Sequence, residues 1–302
     1  MIPLTWGDLT ASWKCAEVRF TPITRAKATT TAMLELIREP LGEAFFTRAL
    51  LAVVLSSLTC ACLGAYVVLR RMAFVSTALT HSILPGVIGA LLLGISPYAG
   101  ALVAALLTAA GAAWLASREG TSEDSAVGVM LSVMFAGGIA LMQYANSWRD
   151  FAGLLFGSVV SVGSSDLIVI GSTTFIVLLG LRLLHKELEL ASFDEEYASL
   201  LGARPALMRV VLLALVALGA VSCVRLVGAL LTTALFVIPA ATGVLLGRTV
   251  PQVMAWGVAC ALSGGIAGLY LSYYFPAVPS GAGIVLCCAA PYLAARIFAP
   301  RR

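Results

Sequence analysis

The stretch RALLAVVLSSLTCACLGAYVVLRR, residues 48–71, decides the fold class. From Ala49 to Leu69 it carries no charge, and it closes on the pair Arg70-Arg71. A helical crossing of a bilayer takes about 20 apolar residues, because hydrocarbon offers the backbone no hydrogen-bond partner outside the helix itself. The same pattern, an apolar run stopped by basic residues, recurs along the chain. Of its 302 residues 60% are apolar and only 11% are charged, with a mean hydropathy of +0.99. A water-soluble domain carries roughly 25% charged residues. A soluble enzyme is therefore excluded, and the chain reads as an all-α, polytopic transmembrane helical bundle.

Working outward from residues 48–69, further crossings are expected at 79–95, 98–117, 126–145, 167–184, 207–223, 226–246, 250–275 and 283–298. That makes nine, or eight if the short run 79–95 only dips into the membrane. Residues 151–162 are apolar but too few to cross, which fits a re-entrant or surface-lying helix. Residues 1–40 read as a polar tail before a membrane domain at 41–302. Met33 offers a natural beginning, so residues 1–32 read as an extension or a misassigned start. Three glycine pairs at four-residue spacing, Gly153/Gly157, Gly243/Gly247 and Gly264/Gly268, allow close helix approach, either inside one subunit or between two.

Charge placement gives the orientation. Arg70, Arg71, Arg118, Arg182, Lys186, Arg204, Arg209, Arg248, Arg296, Arg301 and Arg302 fall on one side, against only Arg149 and Arg225 in the opposite short loops. The arginine-rich side is the cytoplasmic one. The net charge of +4 is thus a topological signal and not a nucleic-acid surface. All fifteen carboxylates lie at or before Glu196, so the second half of the chain has none to offer a cation. The cysteines, mostly within apolar runs and without a CxxC pair, read as small packing residues.

The polar stretch KELELASFDEEYASLLGARP, residues 186–205, is punctuated as a short cytoplasmic helix. Ser192 and Glu195 have capping-box spacing, Asp194, Glu195 and Glu196 complement the dipole of the first turn, and Gly202 and Pro205 close it. Such a carboxylate-rich start is disfavoured against an anionic leaflet, which favours docking into another protein over lying on the membrane. A partner would supply what is missing here. None of the lysines, Lys14, Lys27 and Lys186, stands in a Gly-Lys-Ser/Thr phosphate loop, and the two histidines belong to no catalytic motif.

One of those histidines, His81, lies at membrane depth in RRMAFVSTALTHSILPGV, residues 70–87. On a helix Thr77, His81 and Pro85 share one face while Ser76 and Thr80 form the adjacent strip. An ionisable side chain among apolar neighbours points to a translocation path, and imidazole is a common ligand of transition metals. The alternative is a histidine hydrogen-bonded to a neighbouring helix. His185, beside Lys186 at a span end, reads as interfacial.

The run LGAYVVLRRMAFVSTALTHSILPGV (63–87) resembles the permease family of ABC importers for zinc, manganese and iron, as do GLLFGSVVSVGSSDL (153–167), ELASFDEEYASLLG (189–202), VGALLTTALFVIPAATG (227–243), and GLYLSYYF with PSGAGIVL (268–286). The resemblance implies a bundle like those of type II ABC importers, in a homodimeric cell-membrane subunit. It implies as partners a cytoplasmic ABC ATPase that hydrolyses ATP, and an extracytoplasmic metal-binding protein. No cofactor is implied in this chain, only a transported divalent metal ion with His81 as its ligand and Ser76, Thr77 and Thr80 along its path. A coupling helix at about 192–202 would present Phe193, Asp194, Glu195, Tyr197, Leu201 and Gly202 to the ATPase.

Two positions depart from that pattern. The family has an aspartate where this chain has Thr77, and another shortly before Pro-Ser-Gly, where this chain reads Phe275, Pro276, Ala277, Val278. A doubly charged ion in hydrocarbon needs anionic or strongly dipolar ligands. Either the ion passes on His81, hydroxyls and carbonyls, or the substrate differs. A permease for a chelated metal or cobalamin-like cofactor, and a non-transporting membrane partner that keeps the scaffold, are the alternatives.

Overall fold

The computed structural model describes residues 38–118, 120–145, 162–202, 204–275 and 278–298. Twelve helices are named here: α1 Ala44–Leu69, α2 Ala73–Ser82, α3 Leu84–Leu92, α4 Pro97–Ala116, α5 Glu123–Ala145, α6 Ser164–Leu183, α7 His185–Phe193, α8 Glu195–Leu200, α9 Pro205–Val227, α10 Ala229–Leu246, α11 Val250–Tyr274 and α12 Ser280–Phe298. They belong to one compact unit, Pro40–Arg302. Among the described residues eight helical runs are long and apolar enough to cross a membrane, with α2 and α3 counted together as Ala73–Leu92. The expected crossing at 226–246 is α10, which is apolar but shorter. The chain is a multi-pass membrane protein. The expected re-entrant segment 151–162 lies outside the described residues except for Val162.

Local chemistry explains where these helices begin. Pro97 and Pro205 open α4 and α9, at a position where the missing N–H costs nothing. Asp166, in the first turn of α6, accepts a hydrogen bond from the Gly163 N–H at 3.1 Å. Gly228 separates α9 from α10 at φ +86°, a backbone conformation that only glycine adopts without strain. The second crossing starts earlier than expected. It begins at Ala73 instead of Leu79, and its helix is re-formed at Leu84 one residue before Pro85. A proline beyond the first turn removes a helical hydrogen bond, so the chain restarts the helix with Pro85 near its beginning.

α1 is the central post. Of its most apolar window 72% is buried, against 17% for α12 and 22% each for α5 and α6. It packs against α6, α9, α10 and α11, while α12 covers α10 and α11, and α3, α4 and α5 form a second group beside α9. Lipid is as apolar as leucine, so these helices associate through close packing of small residues. A Cβ on Gly64 would run into the Phe236 carbonyl of α10. Gly86 of α3 and Gly100 of α4 face each other in the same way. Gly243 and Gly247 meet α11, and Gly264 and Gly268 meet α12, so both described glycine pairs serve packing within one subunit.

Side-chain contacts fix which helix ends lie together. At one end Tyr98, opening α4, donates to Asp166 of α6 at 3.1 Å. At the other, Arg209 near the start of α9 pairs with Glu123 at the start of α5. Arg70, just past α1, donates from Nε to the Ser192 hydroxyl of α7 at 2.9 Å. Of the arginines singled out for orientation, Arg70 and Arg209 thus each tie together the ends of two helices.

Candidate functional site

Residues 76–81 form most of α2, which packs against α4, α5, α9 and α10. Ser76 and Thr80 are fully buried. Each hydroxyl donates to a carbonyl of its own helix, Ala73 and Thr77 respectively, both at 2.9 Å. Their protons are committed, but the oxygen lone pairs are not. Thr77 and His81 are half-buried on the neighbouring strip, as the four-residue spacing predicts. The His81 ring meets Phe135 of α5 edge to face, centroids 6.0 Å apart. No hydrogen bond to His81 occurs among the described residues, so the reading as a histidine satisfied by a neighbouring helix gains no support there.

No carboxylate joins them. Among the described residues every Asp and Glu lies before α1, in the first turn of α5 or α6, or within or between α7 and α8. Nor does any group of three or more His, Cys, Asp and Glu side chains stand together there as a metal site. At the second departure from the family pattern, Phe275 caps α11 and the Ser272 hydroxyl donates to the Val278 carbonyl at 3.0 Å. Pro276 and Ala277 lie outside the described residues. The α2 face therefore offers an ion one imidazole and several oxygen dipoles without a countercharge.

The polar segment 186–205 differs from the single helix of about ten residues expected. It forms two helices, α7 and α8, broken at Asp194, where φ is −150° and ψ 99°. Asp194, not Ser192, caps α8, accepting from the Tyr197 N–H at 2.8 Å. An aspartate placed directly before a helix reaches the third N–H of its first turn, which takes the cap from the serine two residues upstream. Ser192 instead lies inside α7, donates to the Leu188 carbonyl, and receives Arg70. Gly202 ends the segment at φ +81°. Leu188, Ala191 and Ala198 are buried, whereas Phe193, Tyr197, Leu200 and Leu201 are 69%, 52%, 83% and 61% exposed. Four large apolar side chains thus stand exposed between the end of α7 and the end of α8.

The match to known proteins covers nearly all of this architecture. The model of the ABC 3 transport family matches residues 43–299. The chain belongs to the ABC 3 transport family. It is 31% identical over 263 residues to the manganese transport system membrane protein MntC of Halalkalibacterium halodurans, covering 87% of this chain and 90% of that one. It is 30% identical over 270 residues to the probable iron transport system membrane protein of Haemophilus influenzae, covering 89% and 99%. A chain of PsaBC from Streptococcus pneumoniae, solved in complex with a Fab, superposes with a TM-score of 0.79 at 28% identity, covering 89% of this chain and 96% of that one.

One side-chain connection between distant residues escaped sequence reasoning. Tyr66 Oη lies 2.5 Å from His185 Nδ1, and His185 Nε2 lies 3.5 Å from Glu189. Together with Arg70 and Ser192 this fastens the end of α1 to α7. No spacing rule points to it, because the partners are 119 and 122 residues apart.

Proposed function

We propose that this chain is the membrane-spanning permease subunit of an ATP-driven importer of divalent transition-metal ions, with residues 41–302 as its membrane domain. The relatives' names favour manganese or iron over zinc. The observation that carries the reading is the α8 turn. Exposed Phe193, Tyr197, Leu200 and Leu201, close together in sequence at the arginine-rich end, call for a protein partner. In an ABC transport family that partner is a separate cytoplasmic ATPase. The chain works as a homodimer, receives its ion from an extracytoplasmic binding protein, and opens its path alternately as the ATPase closes and releases α7 and α8.

In this reading His81 is the strongest ligand the path offers, with Thr77 beside it and Ser76 and Thr80 one strip away. Neutral imidazole binds a transition metal through one ring nitrogen. The lack of a carboxylate along α2 favours a second reading, in which the cargo arrives as a chelate that already carries its own anionic ligands. One experiment separates them. Vesicles holding the permease and its ATPase are supplied with ATP and with free manganese, iron or zinc, or with the same metals chelated. ATP-dependent accumulation of a free ion supports import of the ion; accumulation of the chelate alone supports the second reading. No accumulation of either, with the ATPase bound, overturns both.

A further inference from the structure

α6 and α11 each pack on α1 and leave a cleft between their arginine-rich ends. The cleft holds about 530 Å³ and is lined by Leu178, Leu181, Arg182, His185, Pro251 and Met254. Its chemistry is divided. Four side chains make an apolar wall, and two nitrogen-bearing ones stand at the rim where the membrane ends. Arg182 is exposed, and no carboxylate pairs with it among the described residues. His185 already commits Nδ1 to Tyr66. Among the described residues no acidic one lines the cleft, and Glu189 lies against His185 Nε2 at 3.5 Å.

A guanidinium at the level where acyl chains give way to headgroups finds its complement in a phosphate, which it binds through paired N–H donors. An apolar wall directly beneath it finds its complement in a hydrocarbon tail. One molecule carries both at that spacing. We propose that the cleft between α6 and α11 binds a single acidic phospholipid of the cytoplasmic leaflet. Its headgroup sits at Arg182 beside His185, and one acyl chain lies along Leu178, Leu181, Pro251 and Met254. Because His185 also joins α1 to α7, the lipid sits against the joint that serves the α8 turn. The choice of leaflet rests on the orientation in the proposed function; the site itself does not depend on what cargo is carried.

The test uses the purified full-length chain in detergent and native mass spectrometry. Phosphatidylglycerol and phosphatidylcholine with identical chains are added at equal concentration. One phosphatidylglycerol should be retained in preference to phosphatidylcholine. R182Q should lower its bound fraction about fivefold, the factor equivalent to ~1 kcal/mol for one basic residue at an anionic leaflet. R118Q removes the same charge from the same end, beside Trp114 and away from the cleft, and should change nothing. M254W, which fills the cleft, should lower retention while Arg182 stays in place. Equal retention of the two lipids, an unchanged R182Q, or an equal loss in R118Q would overturn the proposal. Since R182Q alters an exposed side chain, a folding defect does not obscure the comparison. Lipid retention is read without transport, so its failure is distinguishable from failure of the importer reading.

Discussion

The Tyr66 hydroxyl and the His185 ring, 2.5 Å apart, join the last buried turn of α1 to the first residue of α7. α1 touches α2, α6, α9, α10 and α11, and α7 leads directly into the exposed α8 turn. The contact therefore ties α7, which runs on into the exposed α8 turn, to the helix at the centre of the bundle.

Breaking this joint should weaken coupling more than folding. Tyr66→Phe removes one hydrogen bond, worth about 1 kcal/mol. A thermal shift of a few degrees with a severalfold loss of ATP-driven uptake is expected. Uptake per folded molecule that matches wild type would show that the joint is only structural.

His81→Ala should lower metal accumulation at least about tenfold while membrane insertion and ATPase binding persist, because it deletes the one nitrogen ligand on the α2 face. Uptake assays in vesicles, normalised to inserted protein, decide it. Unchanged uptake would move the path away from α2.

Thr77→Asp places a carboxylate one helical turn before His81 on the same face. Binding of divalent ions should tighten and their relative preference should change, measured by competition between manganese, iron and zinc. An unaltered preference would separate position 77 from the cargo.

Phe193→Asp together with Leu200→Asp puts two charges into the exposed apolar set at the end of α7 and in α8. Loss of co-purification with the ATPase is expected, at unchanged membrane content. A complex that survives both substitutions would refute docking through this turn.

Cys60 of α1 and Cys223 of α9 are both fully buried with their sulfurs 3.6 Å apart. A membrane-permeant thiol oxidant should join them, detected as a linked peptide pair by mass spectrometry, and Cys60→Ser should abolish the link. Failure to form it would contradict the register of α1 against α9.

The membrane class was legible because apolar runs, basic stops and the proline-opened helices each follow from a local rule. The beginning of the second crossing was misjudged because polar Ser76, Thr77 and Thr80 dilute the hydropathy of α2, although their hydroxyls bond within the helix and travel with it. Ser192 was assigned the cap because its spacing to Glu195 fits the rule. Asp194 stands directly before α8 and accepts from the Tyr197 N–H, so the helix starts two residues later than that spacing implies, and Arg70, distant in sequence, gives Ser192 another role. The face shared by Thr77 and His81 was legible from helical period alone. The joint between Tyr66 and His185 was not, since no local rule connects residues on separate helices.

The confinement of acidic side chains to the ends of the helices has a bearing on leakage. Sodium and potassium, abundant on both sides, would meet no fixed negative charge along the described spans to offset their lost hydration. A bystander cation gains nothing by entering. Only a cargo with a strong affinity for nitrogen, or one that brings its own shell of anions, is compensated on the way through.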